Sequence, residues 1–208
     1  MTMEHPDNFF REYRRQQRLE HQDKTEILAD SLQQEFNDFI FESEETLRRI
    51  NLGFAIEDLE PVIDKRTMDL HFNVLYKNYV TKFNQTGDDF QKAGAILHQK
   101  FFENLAKPNH DGLKNIQVLA FLKKHFGTFA KFKAAFKEQA LSIKGNGWIV
   151  LTKSGGIVQI TNHKLVDGIV LILDMWEHAY YLTHGPDKAA YVDDFWYVVD
   201  WEIVGARI

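Results

Sequence analysis

"DMWEHAYYL", residues 174–182, places an aspartate and a histidine four positions apart among large aromatic side chains. Asp174 follows the apolar run "GIVLIL" (168–173), so we expect its carboxylate to lie next to a hydrophobic core. A buried carboxylate is costly unless its charge is compensated, and a bound cation is one way to compensate it. The pattern leaves two interpretations open: an ordinary turn in the core, or half of a metal site.

Three of the nine histidines lie among large apolar neighbours, namely His71, His98 and His178. One such histidine is more often a hydrogen-bonded core residue than a ligand. Three of them with Asp174 form a nitrogen and oxygen donor set that suits manganese, iron or zinc. The chain has no cysteine, which excludes thiolate ligands, disulfides and thiol catalysis.

The rest of the chain predicts an α+β fold. Helical spacing over 59–85 and 87–105, with a very short link, predicts an N-terminal antiparallel helical hairpin. Helical patterns also cover 113–126, 129–142 and 188–201. The runs "GWIVLT", "GGIVQIT" and "GIVLIL" predict a three-stranded antiparallel sheet. We therefore expect the hairpin to be followed by a mixed domain, in which helices flank this sheet.

The charge of the chain divides it unevenly. Residues 1–50 carry 7 Lys/Arg and 12 Asp/Glu, whereas residues 51–208 carry 18 of each. We predict a helical N-terminal extension (1–50), a helical hairpin domain with two histidine ligands (51–106) and an α+β domain with the Asp and His ligands (107–208). Amphipathic spacing predicts a helix within the extension, over residues 25–49. Two roles for the extension stay open: a helix docked on its own domain, or an arm that binds another protein.

Composition excludes several functional classes. An apolar content of 44% and a charged content of 26% are typical of a soluble globular protein. No basic patch indicates nucleic-acid binding. No run approaches 18 apolar residues and the N-terminus lacks a signal-peptide core, so we expect no membrane contact. The expected location is cytoplasmic or otherwise intracellular, with carriage inside a larger particle as a further option.

Several motifs resemble the iron/manganese superoxide dismutases. "DMWEHAYY" is similar to the D-x-W-E-H-A-Y signature of that family, "LEPVIDKRTMDLH" to its first helix and "AGAILHQKFFENL" to its second. "FGTFAKFKAAF", "GNGWIVL" and "FWYVVDW" match later segments, in order, over about residues 51–204. The resemblance implies an enzyme that converts superoxide to oxygen and hydrogen peroxide at a single redox-cycling metal.

The resemblance also implies the metal ligands, which are His71, His98, Asp174 and His178, with a solvent molecule as fifth ligand. It implies one manganese ion per chain, with iron as the second choice. The preference for manganese comes from Gln159, which is expected to hydrogen-bond the bound solvent, because iron-type members often supply this amide from the position of Gly94 instead.

Further site residues are implied around the metal. Tyr79 matches the active-site tyrosine that delivers protons, and Trp148 and Trp176 are expected to wall the cavity. Glu177 and Tyr181 match residues that meet a second subunit, so a homodimer that forms through Glu177 and His178 is implied.

The chain also departs from the family. Leu75 stands where a gateway histidine is usual, and residues 1–50 have no counterpart in the ordinary plan. One alternative is therefore a structural or binding protein that uses residues 1–50 to join a larger assembly, a virion being one case, with little or no activity. Retention of all four ligand positions favours the enzyme.

Overall fold

The computed structural model describes residues 31–32 and 46–208. Residues Thr46–Ile208 form one compact unit. Within the described residues, no helix is long and apolar enough to cross a membrane. The predicted division into 1–50, 51–106 and 107–208 stays a prediction.

The first part of the unit is a helical hairpin, as predicted. Its first arm is a continuous helical run of α1 (Lys65–Met68), a π-helical segment (Asp69–Tyr76) and α2 (Lys77–Thr86). Its second arm is α3 (Asp89–Glu103). Gly87 takes a left-handed conformation (φ 65°) directly after α2, so the chain turns back at once and the arms pack against each other.

The π-helical segment was not predicted from the sequence, and it carries His71. A π-helix closes its hydrogen bonds over five residues instead of four, and such segments frequently occur at functional sites. Asp64 caps the start of the run, since its carboxylate accepts a hydrogen bond from the Thr67 amide at 2.7 Å. The position of His71 therefore depends on a capped helix start seven residues earlier.

The second part contains two helices and the predicted sheet. Helices α4 (Ile116–Phe126) and α5 (Phe129–Leu141) precede β1 (Gly147–Thr152), β2 (Ile157–Thr161) and β3 (Ile169–Asp174). The sheet is antiparallel in the order β2-β1-β3. Every residue of β1 and β3 is buried, because α3 packs against β3 and α5 packs against β1 and β2. The predicted α+β fold is confirmed.

The segment after the sheet is more broken than predicted. It contains a 3₁₀ turn (Glu177–Ala179) and three helices, α6 (Tyr181–His184), α7 (Lys188–Phe195) and α8 (Trp201–Ala206).

The single helix predicted over 188–201 is wrong at its C-terminal end. Val198 and Asp200 pair with the chain after α3 instead, through Ala106 N to Val198 O (2.8 Å) and Asp200 N to Asn104 O (2.9 Å). Asp200 then caps α8, because its carboxylate accepts from two amides of that helix.

The predicted helix over 25–49 lies largely outside the described residues. Its last positions, from Thr46 to Arg49, are described and are not helical. There the Leu47 amide donates to Oδ1 of Asn84 (2.9 Å), and the Asn84 amide group donates back to the Leu47 carbonyl (2.9 Å). Pairing with α2 therefore replaces helical hydrogen bonds at this end, and the helix prediction is wrong there.

Candidate metal centre

Four side chains of the predicted ligand set converge in the fold. Each offers one ligand atom, and these atoms lie within 4.8 Å of one another: His71, His98, Asp174 and His178. They come from four elements, namely the π-helical segment, α3, the last residue of β3 and the 3₁₀ turn that follows. Residues more than 100 positions apart in sequence thus share one buried cluster.

Asp174 lies at the middle of the cluster, and its side chain is fully buried. Its Oδ1 atom accepts a hydrogen bond from the Trp176 amide at 2.8 Å. Its Oδ2 atom lies 3.2 Å from Nε2 of His71, 3.2 Å from Nε2 of His178 and 3.9 Å from Nε2 of His98. One carboxylate oxygen is thus held by the backbone, while the other faces three imidazoles.

Burial sets the protonation of the cluster. It lowers the pKa of His71 to about 4 and lowers that of His98 well below its usual value. Burial by itself would raise the pKa of Asp174, but the adjacent His178 and His71 outweigh it and hold this pKa well below its ordinary range. Neutral imidazole and ionised carboxylate are the forms in which these groups ligate metals.

The hydrogen bonds of the cluster test whether a metal fits. Nδ1 of His98 donates to the Gly94 carbonyl (2.6 Å), so its Nε2 carries a lone pair directed at the other ligands. Nε2 of His98 and Nε2 of His71 are buried, and neither has a hydrogen-bond partner among the described residues. One bound cation would give both nitrogens a partner and would also neutralise the charge of the Asp174 carboxylate. The set of three nitrogens and one oxygen fits manganese or iron.

A hydrogen-bonded chain of three side chains lines the cluster beside His98. Nε1 of Trp148 donates to Nδ1 of His163 (3.2 Å), and Nε2 of His163 lies 2.8 Å from the Tyr79 hydroxyl oxygen. The Trp148 ring meets His98 edge-on, with centroids 4.9 Å apart, and Trp176 stacks on His163 at 5.0 Å. The structure thus brings the predicted wall residues to the ligands and adds His163, which is only 7% exposed.

The prediction that Gln159 reaches the metal site is wrong. Gln159 is exposed on β2, and its amide group donates to the Gln139 carbonyl (2.9 Å) and to the Ser142 hydroxyl (2.6 Å). Its side chain therefore faces the end of α5. The chain turns after the end of β2, and a side chain of that turn lies beside the ligands instead.

That turn is made at Asn162 and delivers His163. Asn162 adopts a left-handed conformation (φ 56°), which asparagine tolerates better than most residues. Thr161 pairs with Gly147, so the chain leaves β2 next to Trp148. The sequence carried one signal for this residue: a histidine placed two residues beyond the predicted strand run "GGIVQIT". Hydrophobic periodicity could not reveal it, because His163 belongs to a turn.

Gly94 shapes the cavity by having no side chain. A Cβ atom built on Gly94 would lie 2.5 Å from Cδ1 of Tyr79. The glycine therefore lets the Tyr79 ring lie against α3, with its centroid 4.9 Å from that of His98. Burial and the nearby Asp174 raise the pKa of Tyr79, so its hydroxyl stays protonated at neutral pH.

The residues predicted to meet a second subunit lie at the surface of the single chain. Glu177 is exposed, Tyr181 is 51% exposed and Leu75 is partly buried. Their interface roles stay predictions.

Two domain models cover most of this compact unit. Residues 47–110 match the alpha-hairpin domain of the iron/manganese superoxide dismutases, and residues 114–207 match the C-terminal domain of the same family. The chain belongs to the iron/manganese superoxide dismutases. The resemblance inferred from "DMWEHAYY" and the helix motifs is confirmed.

Curated relatives in the superoxide dismutase family carry names with different metals. The chain is 36% identical over 191 residues to an iron superoxide dismutase of Saccharolobus solfataricus, covering 76% of this chain and 90% of the relative. It is 33% identical over 188 residues to a manganese/iron superoxide dismutase of Aeropyrum pernix (76% and 88%). It is 30% identical over 190 residues to a manganese superoxide dismutase of Listeria innocua (75% and 94%). These identities are similar, so they support manganese or iron without choosing between them.

Proposed function

We propose that this chain is an active superoxide dismutase that binds one manganese or iron ion through His71, His98, Asp174 and His178. The observation that carries the proposal is the convergence of these four ligand atoms within 4.8 Å, two of them buried nitrogens without a partner among the described residues. Family membership supplies the reaction class. The site supplies a donor set suited to either metal.

The reaction requires electrons and protons in fixed numbers. When held by these four residues, the metal would supply one-electron redox chemistry, by which one superoxide is oxidised to oxygen and a second is reduced. The second superoxide must also gain two protons to leave as hydrogen peroxide. The side chains beside the ligands therefore have one main task, which is to hold protons where reduced oxygen can accept them.

The Trp148–His163–Tyr79 chain supports a role in proton delivery. An indole N–H can only donate, so Nδ1 of His163 accepts. Burial lowers the pKa of His163 to about 4, so the ring is neutral and its single N–H lies on Nε2. That N–H donates to the Tyr79 oxygen. The Tyr79 hydroxyl thus keeps its own hydrogen for a group in the metal cavity, while His163 fixes the oxygen in place.

We propose manganese ahead of iron. Gln159 does not support this preference, because its side chain lies outside the site. Gly94 supports it, because glycine offers no side-chain amide from α3, which is the departure from iron-type members that the sequence indicated. Metal analysis of protein loaded with each ion, followed by a turnover assay, tests this preference.

We also propose a twofold homodimer, formed through the segment that carries His178. Exposure of Glu177 and Tyr181 next to this ligand supports such an interface, because both side chains are available to a second copy. Sedimentation analysis of the purified protein tests it, and a monomer at all concentrations would contradict it.

The retained ligand set supports an enzyme over a structural protein that merely keeps the fold. A partner-binding role for residues 1–50 stays a prediction, tested by deleting them. A shortened protein that stays folded, metal-loaded and active would support an adaptor role, whereas aggregation would make the segment part of the fold or of the dimer.

The deciding experiment measures metal content and superoxide consumption on the same preparation. We expect about one manganese or iron per chain, activity in proportion to that content, and loss of activity on removal of the metal by a chelator. A fully loaded protein that does not consume superoxide would refute the proposed function.

A further inference from the structure

The candidate metal ligands come from two parts of the chain. His71 and His98 lie on the two arms of the helical hairpin, whereas Asp174 is the last residue of β3 and His178 lies in the 3₁₀ turn that follows it. Ligand atoms must be held to within about half an ångström for a functional site, so the relative placement of these parts matters. Several hydrogen bonds join the two parts, and two sets of them lie close in sequence to a ligand on each side without involving a ligand atom.

The first contact joins Asp64 to Thr183. The Thr183 hydroxyl donates to Oδ2 of Asp64 (2.7 Å) and accepts from the Asp64 amide (3.1 Å), across 119 positions of sequence. The same carboxylate caps the helical run that carries His71. Thr183 lies five residues after His178, in the helix that follows its turn. This pair therefore links the helical run that carries His71 to the segment that carries His178.

The second contact joins Asn104 to Ile172. Oδ1 of Asn104 accepts from the Ile172 amide (2.9 Å), and its Nδ2 donates to the Phe101 carbonyl (2.8 Å). Asn104 is fully buried just after α3, which carries His98, and Ile172 lies two residues before Asp174 on β3. This pair links α3, which carries His98, to β3, which carries Asp174.

We infer that these two contacts are positioning contacts for the metal site: each joins the segment that carries one hairpin histidine to the segment that carries Asp174 or His178. The inference rests on the proposed metal ligands. Thr183 and Asp64 would act on the metal through the positions of His178 and His71. Their side-chain hydrogen bonds to described residues involve no ligand atom.

The Asp64–Thr183 pair is the better one to test. Both residues are only partly buried, so water can replace the lost partners and folding loses little. The reciprocal bonds fix a distance and an angle together, which water does not reproduce. Removing them is therefore expected to loosen the metal far more than it loosens the fold.

The test compares metal release from loaded, full-length protein in excess chelator. Thr183→Val keeps the shape and removes both hydrogen bonds, while Thr183→Ser restores the hydroxyl. Thr128→Val is the matched control, because the Thr128 hydroxyl caps α5 by accepting from the Lys131 amide (3.1 Å) and, among the described residues, makes no hydrogen bond between the two parts. Electron paramagnetic resonance of the bound manganese reports ligand geometry, and thermal unfolding of metal-free protein reports the fold.

We expect Thr183→Val to release metal about tenfold faster and to broaden the manganese signal, with Thr183→Ser close to the unchanged protein. Thr128→Val is expected to lower the unfolding temperature of metal-free protein by about as much as Thr183→Val does, without faster metal release. Equal release rates for the two valine variants, or an unchanged signal in Thr183→Val, would overturn the inference. Failure of the unchanged protein to bind metal is a separate outcome, which overturns the ligand assignment and the positioning inference with it.

Discussion

Replacing His163 with alanine tests the residue that the fold, and not the sequence, brought to the site. The change removes the acceptor for Trp148 and the donor to Tyr79, at 3.2 and 2.8 Å. Nε1 of Trp148 then stays buried without a partner, which costs about 1–3 kcal/mol, and the space left by the ring adds to that cost. We expect a total loss of about 2–4 kcal/mol of unfolding free energy.

The effect on catalysis follows from Tyr79. Without the Nε2–H of His163, the Tyr79 oxygen is no longer fixed, and its hydrogen is free to turn away from the metal cavity. Groups that orient a metal site from outside the ligands are worth about ten- to a hundredfold in activity. We therefore expect turnover to fall by about this factor while the metal stays bound, since His163 is not a ligand.

Two further variants make the experiment specific. His163→Gln should recover most of the turnover, because its carbonyl accepts from Trp148 and its amide donates to Tyr79. Gln159→Ala should leave turnover unchanged, since the bonds of this exposed side chain to described residues go to Gln139 and Ser142.

Metal content, superoxide decay after pulse radiolysis and urea unfolding are measured on each protein. Unchanged turnover in fully loaded His163→Ala would refute the role of His163, as would an equal loss in Gln159→Ala.

Three other changes test the site. His98→Ala should lower metal content and activity together, and full metal occupancy would show that His98 is not a ligand. Gly94→Ala should slow turnover because its Cβ displaces the Tyr79 ring, although alanine favours a helix by about 1 kcal/mol; an unchanged rate at higher thermal stability would contradict this. Burial lowers the pKa of His71 and of His163 from 6.5 to about 4, so below pH 6.5 the unfolded chain binds protons that the buried rings do not. The unfolding free energy of metal-free protein, measured with urea, should therefore fall by roughly 1 kcal/mol per pH unit for each ring as the pH is lowered from 6.5 to about 4. An unfolding free energy that does not change with pH in this range would refute the buried neutral state.

The sheet and the hairpin could be predicted because local signals and tertiary structure agree there. Glycines separate the β-rich runs, and the observed strands β1, β2 and β3 begin within two residues of the predicted runs. Gly87 and the Asp88 cap fix the short link between the hairpin arms. Consistent local and global preferences are what makes a segment predictable.

The segments that were predicted wrongly are those where distant contacts override local preference. Helical spacing continues through Trp196–Asp200, but pairing with the chain after α3 replaces the helix. The π-helical turns around His71 have no signature in hydrophobic spacing. His163 depends on the left-handed Asn162 and on the position of Trp148, so only the assembled fold reveals it.

The buried histidine ligands oppose the folding of the metal-free chain. Asp174 is buried and ionised, but the Trp176 amide compensates its Oδ1 atom, and the adjacent His178 and His71 hold its pKa below the ordinary range. The Nε2 atoms of His71 and His98 are buried and lack a hydrogen-bond partner among the described residues, which costs stability.

A bound cation would remove these costs at once, so metal binding and folding are coupled. The metal-free fold must therefore keep the four ligand side chains in place by contacts that do not involve the ligand atoms. Asp64–Thr183 and Asn104–Ile172 are contacts of that kind. Because Thr183→Val is expected to release metal faster, loading with metal should raise its unfolding temperature less than that of the unchanged protein. An equal or larger rise would contradict the positioning role of Asp64–Thr183.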